Sequence, residues 1–410
     1  MTEPQRIVVV GAGLAGATAA ITLRERGFDG EVVLLGREPH RPYELPDLSK
    51  ALLLGDADAP TWVAGESAYA ERGIDLRTGT EVREVRPADR VVVDDRGGEL
   101  RYDRLLLATG SRPRTLPLPG ADLAGVHLLR TLDDSLALRE ALRPGRRLVI
   151  VGAGWIGCEV AAAARRHGTE VTVLDVAALP LRNVLGERIA TVFRDLHAEH
   201  GVAWRLGTGV RELAGEDGRV RAVRLVGGDE LPADLVLLGV GAAPRLELAE
   251  RAGIRTTGDV PGGGVTVDAA LRTSAPGVVA AGDIAAHDHP RYGHQVRVEH
   301  WANAKDQGAH AAGTLLGEDT PYRASPFFFS DQYDLGLEYR GLADPDRDEL
   351  VVRGDPASRE FIAFWLRDGS VRAAMNVNSW DHGDTLQALV DRQAAVPADR
   401  LRTGDLASLL

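Results

Sequence analysis

Two segments of this chain are near copies of each other. "RIVVVGAGLAGATAA" opens at Arg6 and "RLVIVGAGWIGCEVAA" at Arg147. Each is a short apolar run of the kind a strand covered on both faces requires, followed by Gly-x-Gly-x-x-Gly and an alanine-rich stretch. The glycines are Gly11, Gly13 and Gly16 in the first copy, and Gly152, Gly154 and Gly157 in the second. The first glycine makes the tight turn, the second lets a pyrophosphate approach the backbone, and the third lets helix and strand pack closely. The alanine-rich helices are expected to stop at Gly27 and Gly168, each followed by another strand, "EVVLL" from Glu31 and "EVTVLD" from Glu170. Each copy therefore sits in a complete βαβ unit. They lie too far apart to be halves of one sheet, so the pattern predicts two nucleotide-binding domains.

The end of each second strand bears on the nucleotide. Asp175 stands where an acid can accept hydrogen bonds from ribose hydroxyls and repel a 2′-phosphate. Val176, Ala177 and Ala178 follow without an arginine, which favours NADH over NADPH. In the first copy the corresponding acid is Glu38, preceded by Arg37. Two different dinucleotides in one chain point to FAD beside a nicotinamide, because a flavin takes a hydride and releases single electrons and no side chain does this.

Composition narrows the class. The chain has 410 residues and a formal net charge of -12, which argues against nucleic acid or an anionic membrane as the main partner. Cys158 is the only cysteine, so an intrachain disulfide, a CxxC pair and a cysteine-built metal cluster are excluded. The segment "MTEPQR" lacks a signal-peptide core and no apolar run reaches membrane-spanning length, so the cytoplasm is the expected compartment. Lysine occurs only at Lys50 and Lys305.

Apolar strands break at Thr109-Gly110 in "LLLATGSRP" and again in "LVLLGVGAAP", from Leu235 to Pro244. "GVVAAGDIA" ends another strand in Gly282-Asp283. From about Pro321 the pattern changes to strands, turns and a final short helix.

With "RPYELPDLSKALL", "LLRTLDDSLAL", "GVGAAPRLELAERAG", "RVEHWANAKDQGAHAAGTLLG" and "PFFFSDQYDLGLEYRG" in the same order, the chain resembles the FAD-dependent NADH:ferredoxin reductases that serve bacterial oxygenases, the putidaredoxin-reductase-like group. The resemblance runs over essentially the whole chain. It implies an α/β fold with two Rossmann-like dinucleotide-binding domains and a smaller α+β C-terminal domain. The FAD domain would comprise residues 1–112 and 242–318, the NAD domain 113–241 and the C-terminal domain 319–410. It also implies that Ala15, Lys50, Val82, Arg130, Asp283 and Trp301 lie at the flavin, and that Glu159 pairs with Lys50. Asp283 suits a ribityl hydroxyl. A helix starting near Glu299, His300 and Trp301 would turn its positive end to the N1–C2=O edge of reduced flavin. Ala108, Thr109, Gly110 and Gly282 complete the expected flavin lining, and Arg182 and Gly241 the NAD lining. The sequence departs from the family pattern at Arg37, Leu45, Asp47, Asn183 and Phe329, which bears on NADH affinity and nicotinamide stacking.

The implied activity is hydride transfer from NADH to FAD and then single-electron transfer to an iron–sulfur ferredoxin. That ferredoxin would feed a haem-thiolate monooxygenase or a ring-hydroxylating dioxygenase. Two alternatives stand beside it: an NADH oxidase or rubredoxin reductase with another acceptor, and an apoptosis-inducing-factor-like flavoprotein that responds to NADH. The histidines His287, His289, His294 and His300 read as a polar loop, with no metal site expected. Cys158 reads as a small packed residue.

Overall fold

The computed structural model describes residues 4–410. The chain forms two compact units. The first comprises residues up to Glu44, Thr61–Arg112 and Ala242–Pro326; the second comprises Leu45–Pro60, Pro113–Gly241 and Phe327–Leu410. Residues 45–60, expected with the first domain, pack within the second unit, and so does the C-terminal segment.

At the heart of the first unit is a parallel sheet. Its central strand, Arg6–Val10, is flanked by Glu31–Leu35 on one side and Arg104–Leu107 on the other. Ile7, Val8 and Val9 are fully buried, as apolar residues must be in a strand covered on both faces. Ile74–Arg77 and Val278–Ala280 form the sheet's edges. Chain order reverses at Arg6–Val10, and the glycine turn leaves from the end of that strand, where α/β sheets open a ligand crevice. A three-stranded antiparallel meander, Val82–Arg86, Val91–Asp94 and Glu99–Arg101, completes the pattern.

The second unit repeats this layout. Arg147–Val151 lies between Glu170–Asp175 and Leu235–Leu238 in a parallel sheet, with its own meander of Val210–Glu216, Arg219–Leu225 and Glu230–Pro232. The equivalence reaches single hydrogen bonds: the amides of Gly11 and Gly152 donate to Leu35 and Leu174, both at 2.8 Å.

From Phe327 the second unit continues as a five-stranded antiparallel sheet. The strands Glu360–Arg367 and Ser370–Val377 are buried along most of their length because both faces are covered. On one face, Phe361, Trp365 and Met375 pack with Leu185, Ile189 and Phe193 of the Arg182–Glu199 helix; on the other, Phe364 and Ile362 pack with Leu386 and Leu389 of the Gly383–Asp391 helix. The Arg182–Glu199 helix is broken at Gly186, whose φ of 76° and ψ of 170° are not helical. No helix among the described residues is long and apolar enough to cross a membrane.

Candidate functional site

The glycines divide into two kinds. A Cβ on Gly11 would lie 2.1 Å from the Ala108 carbonyl oxygen, and Gly11 has a φ of +113°. A Cβ on Gly16 would lie 1.9 Å from the Gly11 carbonyl oxygen. Gly152 and Gly157 are closed in the same way, by Gly239 at 2.3 Å and Gly152 at 2.1 Å. These four are glycine because the protein's own backbone crowds them. A Cβ on Gly13 or Gly154 would meet no atom within 4 Å. The middle glycine of each turn thus borders open space, where a pyrophosphate needs bare backbone.

The helices that follow start without help from side chains. Leu14–Glu25 and Trp155–Arg166 begin at Gly13 and Gly154, with no side-chain cap and no acid in the first turn. Trp301–Leu315 begins at His300 with the same two features. The first N–H groups of a helix have no partner within it and attract negative charge. Leu132–Ala141 shows the contrast. There Thr131 and Asp134 form a complete capping box that also ties down the Arg130 amide.

In the first unit, Ala108 lies against Gly11 of the glycine turn, and the other expected residues are held by partners of their own. Ala15 is buried beneath the turn, and a Cβ on Gly282 would approach the Ala15 methyl at 3.2 Å. Glu38 accepts a hydrogen bond from the Tyr43 hydroxyl at 2.6 Å. The Thr109 hydroxyl donates to the Arg245 carbonyl at 3.1 Å, and the Arg245 amide donates back to Gly110 at 2.9 Å. Asp283 is buried in a short turn whose carbonyl accepts from Arg297 at 3.0 Å. Val82 opens the meander, and Glu299 pairs with Arg297 at 2.5 Å just before Trp301.

Three residues that hold this arrangement escaped the sequence reading. Arg297 also donates to the Pro261 carbonyl at 2.7 Å, so one guanidinium joins the Asp283 turn, Pro261 and Glu299, which lies just before the Trp301 helix. The Gln307 side chain accepts from the Gly282 amide at 2.9 Å. A Cβ on Gly308 would lie 2.3 Å from the Ala15 carbonyl oxygen, so this glycine sets how closely two helices approach. A glycine inside a helical pattern was the available signal for the last.

In the second unit, Asp175 receives the amides of Ala153 at 2.7 Å and Ala177 at 2.8 Å, which hold its carboxylate at the mouth of the glycine turn. Arg182 pairs with Asp346 at 3.4 Å. Gly241, at a φ of +97°, accepts from the Arg114 amide at 2.9 Å. Lys50 and Arg130, both expected at the flavin, belong to the second unit. Lys50 and Glu159 meet there: the ammonium donates to Glu159 at 2.7 Å, and Glu159 is 5% exposed. Ser49 and Ser330 donate to the same carboxylate.

Burial pushes the Cys158 thiol above its ordinary range, and its neighbours Glu159 and Asp175 add to the effect, so it is a packed thiol and no nucleophile. His287 and His289 are buried and spend their Nε2 atoms on the carbonyls of Ala269 and Ala324, at 3.2 and 3.1 Å.

Residues 5–308 match the model of the pyridine nucleotide-disulphide oxidoreductases, and residues 327–410 match the reductase C-terminal model. The chain belongs to the pyridine nucleotide-disulphide oxidoreductase family. Rhodocoxin reductase of Rhodococcus erythropolis is 41% identical, over 91% of this chain and 86% of that protein. The ferredoxin–NAD(+) reductase component of the biphenyl dioxygenase system of Paraburkholderia xenovorans is 39% identical, over 97% and 95%. Among solved structures, the covalent putidaredoxin reductase–putidaredoxin complex superposes with a TM-score of 0.93 at 36% identity, covering 99% of this chain and 98% of that one. The α/β fold and the family read from the sequence are the ones found. As a family member the chain is an NADH-dependent oxidoreductase with FAD as its second cofactor. Both glycine turns, with open middle glycines and uncapped helices, fit these dinucleotides.

Proposed function

We propose that this protein takes reducing equivalents from NADH, through FAD, and delivers them singly to an iron–sulfur ferredoxin that serves a bacterial oxygenase, in the cytoplasm. The carrying observation is the duplicated cradle: in each unit two glycines are closed by backbone and the third, at an uncapped helix start, faces open space. A relative along nearly the full chain, named as the ferredoxin–NAD(+) reductase component of a dioxygenase system, supports the acceptor.

FAD would be held by the first unit, and NADH by residues 113–241 of the second. Gly11, Gly13, Gly16 and the Leu14–Glu25 amides would hold the FAD pyrophosphate, Glu38 the ribose and Asp283 a ribityl hydroxyl. Ala15, Val82, Ala108, Thr109, Gly110 and Gly282 would line the site. The start of the Trp301 helix, with Glu299 and His300 before it, would face the flavin's electron-rich edge. Gly152, Gly154, Gly157 and Asp175 would hold NADH, with Arg182 and Gly241 at its border. Bound FAD would supply the step from a hydride to single electrons. Lys50 and Arg130 are assigned to the flavin by family resemblance, and Glu159 holds the Lys50 ammonium in place.

The test is NADH-driven cytochrome c reduction by the purified yellow protein, with and without ferredoxins of several cluster types. Strong ferredoxin dependence is expected. Rapid turnover with oxygen alone, or NADH-dependent dimerisation with slow acceptor reduction, would replace this reading with one of its rivals.

A further inference from the structure

Every hydrogen bond in a chain of side chains running from Tyr333 to Glu159 points the same way. An ionised carboxylate only accepts. Glu159 therefore receives Ser49 at one oxygen, and Lys50 at 2.7 Å and Ser330 at 2.6 Å at the other. Ser330 has one hydroxyl hydrogen and spends it on Glu159. Its lone pair is left for the Gln332 amide nitrogen, at 3.1 Å. That contact orients the Gln332 amide, whose oxygen must face the His197 Nε2 at 2.8 Å. Nε2 must then carry the hydrogen. Nδ1 is the acceptor and faces the Tyr333 hydroxyl at 3.4 Å. Burial agrees, since it pushes the His197 pKa down to about 4 and keeps the ring neutral. Ser49, Glu159, Ser330, Gln332 and His197 are all buried.

We infer that Ser330 and Gln332 are positioning residues for the Lys50–Glu159 pair, with His197 as the anchor that sets their direction. The inference rests on the proposed placement of that pair at the flavin. Lys50 hangs on one Glu159 oxygen, with its Nζ 5.3 Å from the Phe329 ring centre. Ser330 is the second donor to that oxygen. Without it the carboxylate can turn and the ammonium moves with it. Charged and titratable groups facing this cluster are Lys50, the Asp331 carboxylate, the Cys158 thiol with Asp175 near it, His197 and Tyr333, with Arg165 near Tyr333 and His200 stacked on it at 3.7 Å.

The variants Ser330→Ala, Gln332→Leu and Ser330→Thr are compared as FAD-loaded protein. NADH-driven flavin reduction is followed by stopped flow across pH 5–9, alongside the flavin midpoint potential. Ser330→Ala should slow reduction roughly tenfold, the scale of a lost hydrogen bond to a charged group, and Gln332→Leu roughly fivefold, the scale of a neutral one. They should also move the acid limb to higher pH and shift the potential, with unchanged NADH affinity. Ser330→Thr should restore all three. Unchanged limbs and potentials in flavin-loaded Ser330→Ala and Gln332→Leu overturn the inference, and so does equal damage from Ala and Thr. Nitrogen-15 NMR of histidine gives a readout that does not need turnover. His197 should be the neutral Nε2–H tautomer, and finding Nδ1–H would break the chain. If wild-type flavin is not reduced by NADH while the tautomer is as expected, the functional reading fails and the hydrogen-bond chain stands.

Discussion

Gly11 and Gly13 stand two residues apart and should answer the same substitution in opposite ways. Alanine at Gly11 needs a left-handed backbone and meets the Ala108 carbonyl, so Gly11→Ala should not yield folded protein. Gly13 is extended, at a φ of -79°, and its Cβ would point into open space. Gly13→Ala should fold with an unchanged melting curve when stripped of flavin, yet purify colourless. Absorbance at the flavin band against circular dichroism separates the two outcomes. Asp175→Ala removes the acceptor for two amides as well as the proposed ribose contact, so NADH KM should rise at least tenfold, on the scale of a lost charged hydrogen bond. A KM within twofold of wild type would remove Asp175 from the site. The place of these residues in the two glycine turns was legible because each turn lies within one βαβ unit, and a local pattern encodes a local turn. Ser330 was not legible. Its partners lie at positions 159 and 332, and only the folded second unit brings Glu159 to it.

Helices and strands followed the same rule. The Leu14–Glu25 and Trp155–Arg166 helices end just before Gly27 and Gly168, both at positive φ, as the sequence pattern required. The Trp301–Leu315 helix starts where a helix was expected, but its purpose in the first unit is set by distant contacts. Gln307 reaches the Gly282 amide, and Gly308 lies against the Ala15 carbonyl. Periodicity identifies a helix and its buried face, and cannot say which backbone atom that face will meet. Gly308→Ala should therefore wedge the Trp301 helix off the Leu14 helix at a cost of about 1–3 kcal/mol. Gly317→Ala, at the exposed end of the helix, has a φ of +101° and open space around it, so its cost should come from backbone strain alone. The discriminating measurement is flavin retention during a thermal melt. Gly308→Ala should lose flavin well below the wild-type temperature, and Gly317→Ala should not separate flavin loss from unfolding. Residues 45–60 show the limit at this scale. Leu53 packs with Leu138, Leu148 and Val160 in the second unit, and no local signal in an apolar run names the core it will join.

Across the whole molecule, buried histidines set a shared sensitivity to acid. Burial lowers His287 and His300 in the first unit to about 4, and His197 in the second to about 4. An unfolded histidine titrates near 6.5. As pH falls below that value the unfolded chain binds protons that the native protein refuses until about 4. The stabilising contribution is thus complete above about pH 6.5 and erodes between there and 4, by up to about 1.4 kcal/mol per pH unit for each ring. The load is unequal. Burial also lowers His289 and His310 in the first unit, whereas the second adds only His127 among the described residues. Asp306 in the first unit and Asp331 in the second work the other way, since burial raises their carboxyls and the native state takes those protons first. Each unit holds one of them, so they offset the histidines equally and the imbalance survives. Hydrogen exchange of the FAD-loaded protein at pH 7.5 and 5.0, corrected for intrinsic rates, should show protection falling further in Arg6–Val10 and Val278–Ala280 than in Arg147–Val151 and Glu170–Asp175. Equal losses in the two sheets would mean that the units open as one, and that the histidines tax the molecule as a whole. A larger loss in the first sheet means that acid opens the first unit while the second is still folded.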